Sequence, residues 1–130
     1  MRILFKEKKG FTFIELLVAV FILALGIIST INFFITAQAS TKYAQDLTVA
    51  ATHAESVLES MRTKTALAQI TATDWAAWAQ GSGLNTLPSE SYSVTYPSGT
   101  DANPLDAQVI VSWVRNSRTN SVSFATKMTE

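Results

Sequence analysis

The chain has 130 residues, with 10 basic and 10 acidic side chains, one histidine and no cysteine. That length suits one small folded unit. An apolar share of 48% excludes a disordered tail, balanced charge makes nucleic acid a poor default partner, and the lack of cysteine removes thiolate metal sites and thiol nucleophiles.

The residues are spread unevenly. Positions 1–9 carry Arg2, Lys6, Lys8 and Lys9 against Glu7, a net of +3. From Phe11 to Ile28 the one charge is Glu15, and the next along the chain is Lys42. About 20 apolar residues at ~1.5 Å each cross a ~30 Å hydrocarbon core, so this run reads as a membrane-spanning helix. Its thirteen Leu, Ile, Val and Phe residues favour insertion by roughly 4–8 kcal/mol, against at most about 3 kcal/mol for Glu15. The clustered cations hold the N-terminus in the cytoplasm and place the C-terminal part across the inner membrane.

Three readings of this segment stand side by side. It is an uncleaved anchor, or a secretory signal cut near Ala37-Gln38-Ala39, or something more particular. A secretory signal has an apolar region of about 7–15 residues, shorter than this run. The particular reading rests on Lys8-Lys9-Gly10-Phe11-Thr12-Phe13-Ile14-Glu15: a basic leader, a glycine, then at once an apolar helix bearing a carboxylate.

That string resembles the type IV prepilin signature shared by pilins and type II secretion pseudopilins. The resemblance implies that a prepilin peptidase cuts after Gly10, where it accepts only a minimal side chain. It also implies N-methylation of Phe11 as the new amino terminus. Lys6, Lys8 and Lys9 are then leader residues, and Glu15 matches the family's assembly glutamate. Cleavage would leave an α-amine four residues before Glu15, about 6 Å along a helix. A carboxylate among apolar groups is costly unless paired, and an ammonium group of a neighbouring subunit is a natural partner. The plain alternative is a glutamate snorkelling at the membrane interface.

No proline occurs before Pro88, so a helix can run from Phe11 into the 60s, roughly 80 Å. Tyr43, Leu47, Ala50, Ala54, Val57 and Met61 follow at steps of 4, 3, 4, 3 and 4, one apolar stripe. Lys42, Asp46, Glu55, Glu59 and Arg62 are expected on the solvated face. Gly26, Ser29, Thr30 and Asn32 interrupt the best helix formers, giving a soft point or a close-packing surface. Thr73-Asp74 can cap a short helix over 74–80 that ends at Gly81 and carries Trp75 and Trp78 on one face. Residues 81–90 and 97–104 read as loops.

Strands are expected at about 91–96, 107–115 and 121–128. Tyr92, Val94 and Tyr96 share a face, as do Val109, Val111 and Trp113, and Val122 with Phe124. Short connections favour an antiparallel meander, with one face covered by the helical stripe. The fold class is therefore α+β: a long N-terminal helix packed on a small C-terminal antiparallel sheet. The segments are a leader over 1–10, an apolar helix over 11–40 and a head over 41–130.

That plan is similar to the pilin architecture. The runs Leu23–Ile28, Ala54–Arg62 and Val109–Trp113, with the hairpin to Ser121–Ala125, resemble PilV-type minor pilins and nearly match type II secretion minor pseudopilins. The resemblance implies a minor pilin assembled into or at the tip of a pilus, serving pilus assembly, twitching motility or adhesion. Its partners would be the prepilin peptidase, other pilin subunits, the inner-membrane assembly machinery and inner-membrane lipid before assembly. No cofactor and no small-molecule substrate are implied. A pseudopilin role and a tip module binding a surface or DNA are the alternatives.

A search for chemistry finds little. His53 has Glu55 and Glu59 at spacings that leave its helix face, so neither a second metal ligand nor an orienting group is visible. Asp101 and Asp106 flank a turn-rich loop and are too few for the roughly six oxygens calcium takes. Arg115 and Arg118 near the last hairpin are too few to mark a phosphate-binding surface.

Overall fold

The computed structural model describes residues 10–129. Lys6, Lys8 and Lys9, expected to be leader residues, lie outside the described residues. Two compact units divide the chain, Met1–Thr41 and Lys42–Glu130, and helix α1 (Phe13–Arg62) passes through both.

In the first unit α1 is apolar around its whole circumference, and every residue from 10 to 41 is exposed. Gly26 does not interrupt the helix. Ser29 and Thr30 donate their hydroxyls to Leu25 O and Gly26 O at 2.8 and 2.9 Å, and Thr36 does the same to Asn32 O at 3.0 Å. Back-bonding of this kind satisfies hydroxyl donors within the helix, which a hydrocarbon environment requires.

The second unit combines the C-terminal part of α1 with α2 (Leu67–Ala72), α3 (Trp75–Gly81) and three strands, β1 (Ser91–Thr95), β2 (Leu105–Arg115) and β3 (Arg118–Met128). The sheet is an antiparallel meander in the order β1-β2-β3. Ala50, Ala54, Val57 and Met61 of the helical stripe are fully buried, beside Leu58. They pack with Leu105, Ala107, Val109, Val111 and Trp113 of β2, which alternate inward along the whole strand. Small residues on the helix let the large β2 side chains approach it closely. This is the α+β, pilin-like arrangement expected from the sequence.

Two expectations about the stripe change. Tyr43 stays nearly half exposed, with its ring stacked on Trp113 at 6.4 Å between centroids. Asp46, assigned to the solvated face, is buried. Its carboxylate meets Arg115 of β2 at two points, Nε to Oδ2 and Nη2 to Oδ1, the second at 3.0 Å. A forked guanidinium matches a carboxylate geometrically, and that pairing offsets the burial.

The connections follow local chemistry. Asp74 caps α3, its Oδ1 accepting from Ala77 N at 3.1 Å. Trp75 and Trp78 meet edge to face at 5.6 Å, with Trp75 buried in the core. Helix α2 has no helical expectation behind it; its Ile70 carbonyl accepts from Trp75 Nε1 at 2.9 Å and Tyr96 OH at 3.1 Å. β2 and β3 are joined by the two-residue turn Asn116-Ser117, both at positive φ. That backbone twist matches the strands, as in type I′ hairpins.

Candidate functional site

The N-terminal segment is built from Gly10, Phe11, Thr12 and Glu15. Gly10 precedes the helix, and a Cβ added there meets nothing within 4 Å. Nothing among the described residues therefore requires glycine at this position, so the requirement lies with an outside partner or nowhere. Phe11 is 81% exposed. The helix begins two residues later, with Thr12 in front of it: Glu15 N donates to Thr12 Oγ1 at 3.2 Å, and Leu16 N to Thr12 O at 3.2 Å.

This is half of a capping box, in which a threonine three residues before a glutamate satisfies a free helical N–H. The Thr12-x-x-Glu15 spacing is itself a sequence signature of a helix N-terminus. It gives Glu15 a local role as the acidic residue of the first turn, favoured by the helix dipole. The 1.5 Å helical rise starts only at Phe13, so Phe11 N does not lie at the spacing of about 6 Å from Glu15 that a continuous helix would give. Glu15 is exposed, which leaves its carboxylate open to a partner. From Phe13 on, α1 contains a window long and apolar enough to cross a membrane, with none of it buried.

A second group of polar side chains lies inside the head. His53 of α1, Glu90 of the loop before β1 and Tyr92 of β1 are all buried. His53 Nδ1 lies 2.6 Å from Glu90 Oε1 and 3.2 Å from the Tyr92 hydroxyl. Glu90 Oε2 accepts from Thr86 N at 3.0 Å and Leu87 N at 2.8 Å. The Tyr92 hydroxyl is 2.6 Å from Leu84 O and 2.7 Å from Glu90 Oε1, and its one proton serves one of these acceptors at a time. Burial, then the hydrogen bond to Glu90 and its charge, pushes the Tyr92 phenol well above its ordinary value of 10.0.

The expectation that His53 lacks an orienting group is thus overturned by Glu90, 37 positions away. Thr86 Oγ1 stands 3.5 Å from His53 Nε2, so a hydroxyl, an imidazole and a carboxylate line up as in a nucleophile–base–orienter set. The hydroxyl is beyond the 2.6–3.2 Å that proton transfer uses, and the nearby Thr86 and Leu87 N–H groups, which could stabilise an oxyanion, are spent on Glu90. The cluster ties the loop over 84–90 to the helix.

The remaining candidates take structural parts. Asp106 lies 3.6 Å from Lys127 Nζ across the β2–β3 ladder, and its backbone N donates to Ser98 Oγ at 2.9 Å. No group of three or more histidine or acidic side chains able to hold a metal occurs among the described residues. Arg115 is committed to Asp46, while Arg118 is exposed at the hairpin.

Comparison with known proteins adds one finding. Residues 5–31 match the family described as prokaryotic N-terminal methylation motif. No curated protein and no solved structure matches the chain. The motif supports a precursor of the type IV pilin or pseudopilin kind, a structural subunit processed by a prepilin peptidase and assembled with other pilins. The long apolar helix fits anchoring in the inner membrane.

Proposed function

We propose that this chain is a minor type IV pilin resembling the PilV type. It is inserted in the inner membrane with its C-terminal head in the periplasm, cut after Gly10, methylated on Phe11 and assembled into or at the tip of a pilus. There it serves pilus assembly, and through it twitching motility or adhesion. The leader is 1–10, the membrane and filament-core segment 11–40, and the head 41–130. The observation that carries the reading is the methylation motif over residues 5–31 in continuity with a fully exposed apolar helix. The same processing would serve a minor pseudopilin of a type II secretion system. A tip module binding a surface or DNA draws less support, since Arg115 is engaged with Asp46.

Glu15 has the role of assembly contact. Its carboxylate, exposed in the isolated chain, meets the new α-amine of a neighbouring subunit in the apolar filament core, where each charge offsets the cost of burying the other. Glu15→Leu tests this. The variant should insert in the membrane and lose its leader as usual, but be excluded from filaments. Removing one member of a buried pair costs about 3–5 kcal/mol, enough to lose competition with unaltered subunits. The readout is the ratio of this protein in sheared filaments to that in the membrane fraction. Equal ratios for Glu15→Leu and the unaltered chain would show that the carboxylate is no assembly contact and does no more than favour the helix dipole.

A further inference from the structure

The two edges of the sheet are unequal. The β1 edge is five residues long and has α3 packed beside it. The β3 edge is eleven residues long; Arg118 O at its start accepts from Asn120 Nδ2 at 3.3 Å, and from Thr119 to Met128 no backbone group has a described hydrogen bond to anything but β2. Natural sheets guard such edges with a charge, a proline, a bulge or a covering element. Between Arg118 and Lys127, the run Thr119-Asn120-Ser121-Val122-Ser123-Phe124-Ala125-Thr126 holds no charge and no proline.

The hairpin fixes which backbone groups are free. Arg115 and Arg118 flank the two-residue turn and form a hydrogen-bonded pair, so Asn120, Val122, Phe124 and Thr126 also bond inward to β2. Val114 N, which this phase turns away from β3, indeed donates to Pro88 O at 2.9 Å on the other side of β2. Thr119, Ser121, Ser123, Ala125 and Lys127 therefore aim their N–H and C=O outward. Beside this edge lies a groove of about 740 Å³ between α1 and β3. Phe124 and Thr126 form one wall, and Thr52, Glu55, Ser56 and Glu59 form the other. Arg62 sits at one end, donating to Thr126 Oγ1 at 3.2 Å and lying 3.6 Å from Glu59 Oε2, so the groove keeps a net negative charge through Glu55.

From this geometry we infer that β3 is a docking edge for an extended segment of a partner protein, which adds as a fourth strand and places basic side chains in the groove. Its backbone pairs with the outward groups of residues 119–127. Its inward side chains fall beside Val122 and Phe124 and against Glu55 and Glu59. Main-chain bonds give such strand addition its affinity, and the side-chain groove gives it selectivity. A second copy of this chain is the wrong occupant. Twofold β3–β3 pairing would turn the carboxylate-bearing walls toward one another, and like charges so placed disfavour the contact.

The test uses the full-length protein in detergent micelles and short synthetic peptides alternating threonine with lysine, or threonine with glutamate. Amide exchange is followed residue by residue. The lysine peptide should slow exchange at Thr119, Ser121, Ser123 and Ala125 about tenfold when present at ten times its Kd, and the glutamate peptide should not. Ala125→Pro removes an outward N–H without touching the β2–β3 ladder, and should abolish the effect. The double variant Glu55→Lys, Glu59→Lys changes exposed side chains, releases Arg62 from Glu59, and should transfer the preference to the glutamate peptide. Equal protection by both peptides, no protection by either, or concentration-dependent protection without peptide would each overturn the proposal, the last by showing that a second copy fills the edge.

Discussion

Replacing Glu90 with alanine should loosen the head more than any other single change in a polar side chain. The Glu90 side chain is fully buried, and it accepts from Thr86 N, Leu87 N and the His53–Tyr92 pair. Truncation leaves Leu87 N without an acceptor inside the protein and leaves His53 Nδ1 only the Tyr92 hydroxyl at 3.2 Å, whereas water can reach the exposed Thr86. Each buried donor so orphaned costs about 1–3 kcal/mol, and a broken buried pair about 3–5 kcal/mol, so ~3–5 kcal/mol is expected for the whole change. A unit of this size holds about 5–10 kcal/mol in total.

The assay is urea unfolding of the full-length protein in micelles, read by tryptophan fluorescence. Trp75, Trp78 and Trp113 all lie in the second unit, so the signal reports on the head alone. With a slope of about 1 kcal/mol per molar urea, the midpoint should fall by roughly 3–5 M. Glu90→Gln keeps a carbonyl for the two backbone donors and should lose about half as much. A loss below about 1 kcal/mol for alanine, or equal losses for the two variants, would refute the view that this carboxylate organises the loop.

Other expectations follow from the same geometry. The fold favours the neutral phenol of Tyr92, so head stability should be level below pH 10 and decline above it, as the unfolded chain ionises first; Tyr92→Phe should flatten that decline in a pH series of urea midpoints. Arg115→Met strands the buried Asp46 carboxylate and should cost about 2–4 kcal/mol in the same assay, while Asp46→Asn with Arg115→Met together should recover part of it. Ser117 sits at φ 60°, where glycine is at ease, so Ser117→Gly should raise the melting temperature by a few degrees, about 0.5–1 kcal/mol. Gly10→Val should yield a membrane-inserted chain that retains its leader, seen as an unshortened band in cells carrying the peptidase.

What could be read from the residues alone was whatever repeats locally. The steps of 3 and 4 from Leu47 to Met61 and the alternation of Val109, Val111 and Trp113 are set by helix and strand geometry. They named most of the α1–β2 core, and Asp74 announced its helix by cap chemistry. The partnerships of polar groups were not legible. His53 meets Glu90 across 37 positions and Asp46 meets Arg115 across 69. Nothing in the sequence near either residue marks such a pair, because helical spacing marks only neighbours three or four positions away. Helix α2 escaped for a similar reason, since its Ile70 carbonyl is engaged by Trp75 and Tyr96 from other elements. At the N-terminus the motif itself is fully legible, and the capping bond of Thr12 is legible from its spacing to Glu15.

The central claim is that the chain is a precursor matured at Gly10. It is tested most directly by mass spectrometry of the N-terminal peptide of the protein purified from cells carrying a prepilin peptidase. A peptide beginning at Phe11 and heavier by one methyl group on its α-amine is the result expected. A chain still carrying Lys8, Lys9 and Gly10, or one beginning after Ala39, would contradict the account and return the segment to a plain anchor or a secretory signal.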